Sequence, residues 1–308
     1  MRQETLDHNY ELADGYRRSE GRPDNYRHAI ALCREGDAAG DPRFTNMLGY
    51  FSEHGLGVKQ DESKALKYYE RAAGLGLAIA KYNCGVMYAE RGAQERAVAS
   101  WREAAEMDET YSMLKLGWAY EHGLGVPQNC AESVQYYETA AEHKNALGAL
   151  ELIRLMREEK GIEKNISRMV ELLDLAREQD HPDAWLETGL MYDNGDLPAE
   201  NQRNEAMSYF EKAAELGSTV AQEWCGERYA MGIRDVKRDI TKGVGFLNQA
   251  AAAGRPRAKY VLACLHASGE GVTQDYEIAF QLCQEAAETG EPAAQKMLAM
   301  MHNDGLGL

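Results

Sequence analysis

The sequence has little of what builds a β-sheet, a membrane span or a chain of separate domains. Strand-like alternation of apolar and polar residues is absent throughout, and no proline-rich stretch divides one segment from the next, the whole chain holding seven prolines. No run approaches the ~20 consecutive apolar residues of a membrane helix, which argues against membrane insertion. The opening residues, MRQETLDHNY, lack the apolar core of a secretory signal, so a cytoplasmic protein is expected. Basic residues are outnumbered, 34 Lys and Arg against 50 Asp and Glu, for a net charge of −16. Nucleic acids and anionic membranes are held by basic surfaces, so neither is an expected partner, whereas a basic protein or peptide suits this charge.

The usual carriers of chemistry are missing as well. There is no HExxH, nucleophile elbow, phosphate loop or paired CxxC. Ser112 and Lys115 have the SxxK spacing of penicillin-interacting serine enzymes, but none of the companion motifs accompanies them. His54 and His122 each follow a glutamate, Glu53 and Glu121. Adjacent residues point to different sides of a helix, so these pairs read as polar helix ends facing the dipole rather than as metal ligands. No catalytic, cofactor-binding or metal-binding residue is assigned, and a non-enzymatic protein is expected.

What the chain does have is internal repetition. LGYFSEHGLGV at 48–58 returns as LGWAYEHGLGV at 116–126. With Gly49 as a phase marker, the equivalent positions are Gly49, Gly85, Gly117, Ile153, Gly189, Gly226, Ala263 and Ala299. The successive steps are 36, 32, 36, 36, 37, 37 and 36 residues, the short one because the second repeat lacks four loop residues. A small-residue pair keeps the same phase, as at Ala72-Ala73, Ala140-Ala141 and Ala213-Ala214, with an aromatic residue or leucine three or four positions before it.

The first full repeat shows the physics. Residues 42–54 place Phe44, Met47, Leu48 and Phe51 on one helical face. Gly55 and Gly57 end that helix, Val58 anchors the loop in the core, and Asp61 caps a second helix with an apolar stripe through Ala65, Leu66, Tyr69, Ala72 and Ala73. The small residues let helix axes approach closely. One antiparallel pair cannot bury both its faces, so neighbours must stack, and the expected fold is an all-α solenoid.

This pattern resembles the Sel-one-like repeat family, relatives of the tetratricopeptide repeat, across about residues 40–308; residues 48–80 match the family pattern at nearly every position, with Ser52 where a tyrosine is usual. The resemblance implies a right-handed α/α superhelix. Residues 1–40 are expected to form a degenerate capping repeat, with Ala29, Cys33 and Gly40 in phase and Gly36-Asp37 in place of the alanine pair. Residues 41–308 then hold about seven helix pairs and a final half repeat. The fourth repeat, about 144–180, keeps only the phase and is an expected place for a bend or a specialised surface. A secreted branch of the family carries a regular cysteine pair in each repeat. The six cysteines here lack that pairing and read as small buried residues, so the penicillin-binding activity proposed for that branch loses support.

In such solenoids the first helix of each pair lines the concave face. The resemblance therefore implies groove positions at −6, −3, +1 and +4 from the marker. These include Tyr50 and Glu53; Tyr82; Tyr111, Leu114, Trp118 and Glu121; and Leu147, Leu150, Arg154 and Arg157. Tyr and Trp beside charge are typical of binding hot spots, although aromatic residues at helical spacing also pack between neighbouring helices. The leading expectation is an adaptor that binds a protein or peptide in this groove. Two alternatives follow from the resemblance: a neutralising partner of a bacterial toxin, and a cell-wall-related hydrolase using Ser112. Met297, Leu298, Met300 and Met301 crowd the final helix and offer a surface for self-association.

Overall fold

The computed structural model describes residues 3–18, 22–198, 202–234 and 236–307, with backbone alone at 202–204. Residues 1–2 and 19–21 of the expected capping repeat, and Leu308 of the final half repeat, lie outside the described residues. The chain divides into two compact units, Met1–Glu163 and Lys164–Leu308.

The first unit holds α1 (Gln3–Arg18), α2 (Pro23–Ala38), α3 (Pro42–His54), α4 (Glu62–Gly74), α5 (Ala78–Glu90), α6 (Gln94–Ala105), α7 (Thr110–His122), α8 (Cys130–Glu142) and α9 (Ala146–Glu158). The second holds α10 (Ile166–Arg177), α11 (Pro182–Asp193), α12 (Gln202–Glu215), α13 (Thr219–Met231), α14 (Ile240–Ala252), α15 (Pro256–Ser268), α16 (Tyr276–Glu288) and α17 (Pro292–Asp304). No strand occurs among the described residues. Each unit is a stack of helix pairs, as the phase requires. No helix among the described residues is long and apolar enough to cross a membrane.

Local chemistry sets the helix ends. Helix α3 spans Pro42 to His54, the bounds marked in the sequence, and stops where Gly55 takes a left-handed φ of 67°. The Asp61 carboxylate accepts the Lys64 N–H at 2.9 Å and so caps α4. Val58 and Val126 pack against core clusters that join α3 and α7, respectively, to the preceding helix pair. The second repeat turns from α5 to α6 in three residues, 91–93, where other repeats use the longer loop.

The small marker has a more specific purpose than close approach of axes. A Cβ on Gly117 would lie 2.6 Å from Cε1 of Tyr137, so the tyrosine ring of α8 rests directly on the α7 backbone. The same contact joins Gly49 to Tyr69, Gly85 to Trp101 and Gly189 to Phe210. These four rings are fully buried or nearly so. The marker glycine and the aromatic residue before the alanine pair are thus two halves of one packing unit.

The second loop glycine also meets a neighbour. Gly125, at a φ of 70°, would place a Cβ 2.5 Å from the Gln94 backbone, so the loop after α7 lies against the start of α6, the second helix of the preceding pair. Ion pairs tie successive first helices together. Arg154 of α9 holds Glu121 of α7 at 2.6 Å, and Arg228 of α13 holds Asp193 of α11 at 2.8 Å.

At the far end of the second unit, Met301 is buried and Met297 and Leu298 pack against the last core cluster. Met300 remains 64% exposed, and Met297 and Leu298 are half-buried beside it.

Candidate functional site

The first helices of three successive pairs in the first unit enclose a cavity of about 400 Å³. Helix α7 supplies Tyr111, Leu114, Lys115 and Trp118. They stand at i, i+3, i+4 and i+7, which is one helical face. Helix α5 adds Tyr82, α9 adds Leu147 and Glu151, and Tyr137 of α8 reaches the cavity from behind. Five residues expected in the groove, Tyr82, Tyr111, Leu114, Trp118 and Leu147, therefore surround one space.

The rings are positioned but not covered. Tyr82 and Tyr111 approach with centroids 6.1 Å apart. The Tyr82 carbonyl accepts the indole N–H of the buried Trp101 at 3.3 Å. Burial, then the nearby Glu109 and Tyr111, push the Tyr82 hydroxyl above its ordinary pKa, so it stays a neutral phenol. Trp118 lies 5.0 Å from the His122 ring, and His122 Nδ1 donates to the Trp118 carbonyl at 2.9 Å. The histidine before the loop glycine thus braces the groove aromatic one turn earlier, as His54 does for Tyr50 at a ring distance of 4.2 Å. Tyr111 and Trp118 are nevertheless 50% and 45% exposed, and Leu147 is exposed beside them.

The other expected groove residues have different surroundings. Tyr50 lies under the Arg17 guanidinium, 5.0 Å from its ring centre, and Glu53 accepts the Tyr69 hydroxyl at 2.6 Å. Neither lines the cavity. Glu121 is only 4% exposed and receives both Arg154 terminal nitrogens, at 2.6 and 3.0 Å. Arg154 also donates from Nε to Glu151 at 2.7 Å. The hydrogen bond to Glu121 outweighs burial and, with Glu151, holds the guanidinium pKa above its ordinary range. Arg157 is exposed on α9.

Lys115, Tyr137 and Glu151 complete the cavity and stand outside the −6, −3, +1, +4 set. Helical spacing contained a signal for Lys115, which lies four residues after Tyr111 and three before Trp118. Tyr137 belongs to a second helix, and Glu151 is two residues before a degenerate marker, so neither shared the groove phase.

Ser112 Oγ is fully buried and has no hydrogen-bond partner, while Lys115 lines the cavity. The two residues with the SxxK spacing are thus divided between the core and the cavity wall. The thiols of Cys33, Cys84 and Cys225 are pushed up to about 12 by burial, which leaves them unreactive at neutral pH. A second cavity, of about 330 Å³, lies in the other unit between Leu190, Trp224 and Ile233. Its charges answer one another, since Asp193 takes Arg228 at 2.8 Å and Arg234 at 2.9 Å.

Comparison with known proteins places this architecture. The Sel1 repeat family model matches residues 43–77, 110–145, 183–218, 219–254, 256–290 and 292–308. A solved Sel1 repeat protein from Oxalobacter formigenes is 24% identical, with a TM-score of 0.71 over 97% of this chain and 87% of that one. A protective antigen of uropathogenic Escherichia coli with an SLR fold is 25% identical, with a TM-score of 0.60 over 99% of this chain and 74% of the other. Among curated relatives, chitin synthase regulatory factor 3 of Schizosaccharomyces pombe is 25% identical over 246 residues, 76% of this chain and 26% of that protein. The chain spans 26% to 38% of the length of three such relatives.

Proposed function

The chain belongs to the Sel1 repeat family, and from that premise we propose that it is a non-enzymatic adaptor whose cleft on α5, α7 and α9 holds a protein or peptide partner. Sel1 repeat proteins are generally protein-interaction scaffolds. The observation that carries the reading is the pair of half-exposed rings, Tyr111 and Trp118, fixed around a formed cavity. Aromatic surface left in water is a loss that a partner recovers at roughly 25 cal/mol per Å² buried, and rigid Tyr and Trp anchors are the residues that dominate such contacts.

Replacing Trp118 and Tyr82 together with Ala is expected to abolish partner capture in affinity purification from the native host. Helix content, read by circular dichroism, should be retained. Capture that continues unchanged would remove the cleft from the account.

The net charge of −16 favours one second reading, neutralisation of a basic toxin by contact with the acidic surface. Co-expression with toxins encoded beside the gene checks it: rescue of growth is expected, and failure to bind any of them would set it aside.

A further inference from the structure

The cleft contains a charge that the chain leaves unanswered. Lys115 is partly buried between Tyr111 and Trp118 on the inner face of α7. The acids around it are engaged elsewhere. Glu151, on the opposite wall, is held by Arg154 Nε at 2.7 Å, and Glu121 is held by the two terminal nitrogens of the same arginine. Among the described residues the Lys115 side chain makes no ion pair and no hydrogen bond. Lys115 is thus the one charge lining the cavity without a direct partner, while Glu151 shares its partner Arg154 with Glu121 and Glu158. An ammonium without a counter-ion in its own chain can take a carboxylate from a partner in a charge-assisted hydrogen bond.

We propose that Lys115 sets the specificity of the cleft by pairing with an Asp or Glu side chain of a linear peptide segment in another protein. A bulky apolar side chain next to that acid enters among Tyr82, Tyr111, Trp118 and Leu147. This rests on the cleft reading above and adds the chemistry of the occupant to it.

The overall charge of −16 does not oppose the assignment at contact range. At physiological salt, fields are screened beyond about 8 Å, so the nearest charge decides. A basic segment entering the cleft would meet Lys115 directly, with Glu151 already hydrogen-bonded to Arg154.

A random-peptide display library, selected on the wild-type protein, on Trp118→Ala and on Lys115→Glu, tests this. Wild-type selections are expected to share an Asp or Glu adjacent to Phe, Trp, Leu or Ile. Affinity for those peptides, followed by fluorescence anisotropy, should fall about tenfold or more in Lys115→Gln. Lys115→Glu should instead enrich Lys or Arg at the same place. Circular dichroism confirms that each variant is folded. A consensus without an acid, lost in Trp118→Ala, overturns the role of Lys115 and leaves the cleft reading intact. Peptides indifferent to both residues, or no selected peptides at all, overturn both. Concentration-dependent self-association of the wild type that Trp118→Ala abolishes would put a second copy of this chain in the cleft, which also overturns the proposal.

Discussion

Arg154→Ala is expected to cost about 2 to 3 kcal/mol of stability, a large effect for a side chain that is itself 35% exposed. The loss comes from what the arginine leaves behind. Glu121 is 4% exposed, and both its oxygens are satisfied by the guanidinium. Without Arg154 the carboxylate is a buried charge with only Lys160 nearby, at 3.9 Å on an exposed stem. Partial access of solvent to Arg154 places the figure below the upper range for fully buried pairs. Changing both partners, as Glu121→Leu with Arg154→Met, removes the stranded charge and should recover most of the loss. Urea denaturation of the two single variants and the double variant reads the coupling directly. Additive losses would mean that the pair contributes nothing beyond its separate packing.

Gly117→Ala is expected to cost about 2 kcal/mol, although the same change in an open helix gains about 1. The new methyl would lie 2.6 Å from the Tyr137 ring, which is buried and cannot swing into solvent. The chain contains its own precedent for relief. In the seventh pair the marker is Ala263, and the second-helix residue at the position of Tyr137 is Cys283, buried in the same cluster and smaller than a tyrosine. Gly117→Ala combined with Tyr137→Leu should therefore be closer to the wild type than Gly117→Ala alone in thermal or urea unfolding. Tyr137 also forms part of the cleft, so the single variant should weaken partner binding as well. A neutral or stabilising Gly117→Ala would show that the ring yields freely and that the packing unit is not a constraint.

These two residues mark how far the sequence could be read. Helix order and bounds were legible because the signals are local. Proline and glycine bracket α3, Asp61 caps α4, and the 36-residue phase repeats the arrangement. The cleft was legible in part for the same reason, since Tyr82, Tyr111, Leu114 and Trp118 share a phase that became a common face. The marker glycine was recognisably small, but the Tyr137 ring that uses the space lies 20 residues away on another helix. Glu53 and Glu121 look equivalent in the repeat, yet one accepts a tyrosine hydroxyl and the other a guanidinium from the next repeat. Pairing across repeats depends on which residue varies at the facing position, and periodicity carries no information about that. Lys115 follows the same logic, because its lack of a counter-ion is a property of Arg154 and Glu151.

The claim at the centre of this account is that the faces of α5, α7 and α9 meet the partner. Hydroxyl-radical footprinting of the full chain, alone and with its captured partner, measures this at single side chains. Oxidation of Tyr111 and Trp118 should fall strongly on binding, while Met300, 64% exposed in the other unit, stays unprotected. Unchanged oxidation of Tyr111 and Trp118, with protection elsewhere on the chain, would contradict it.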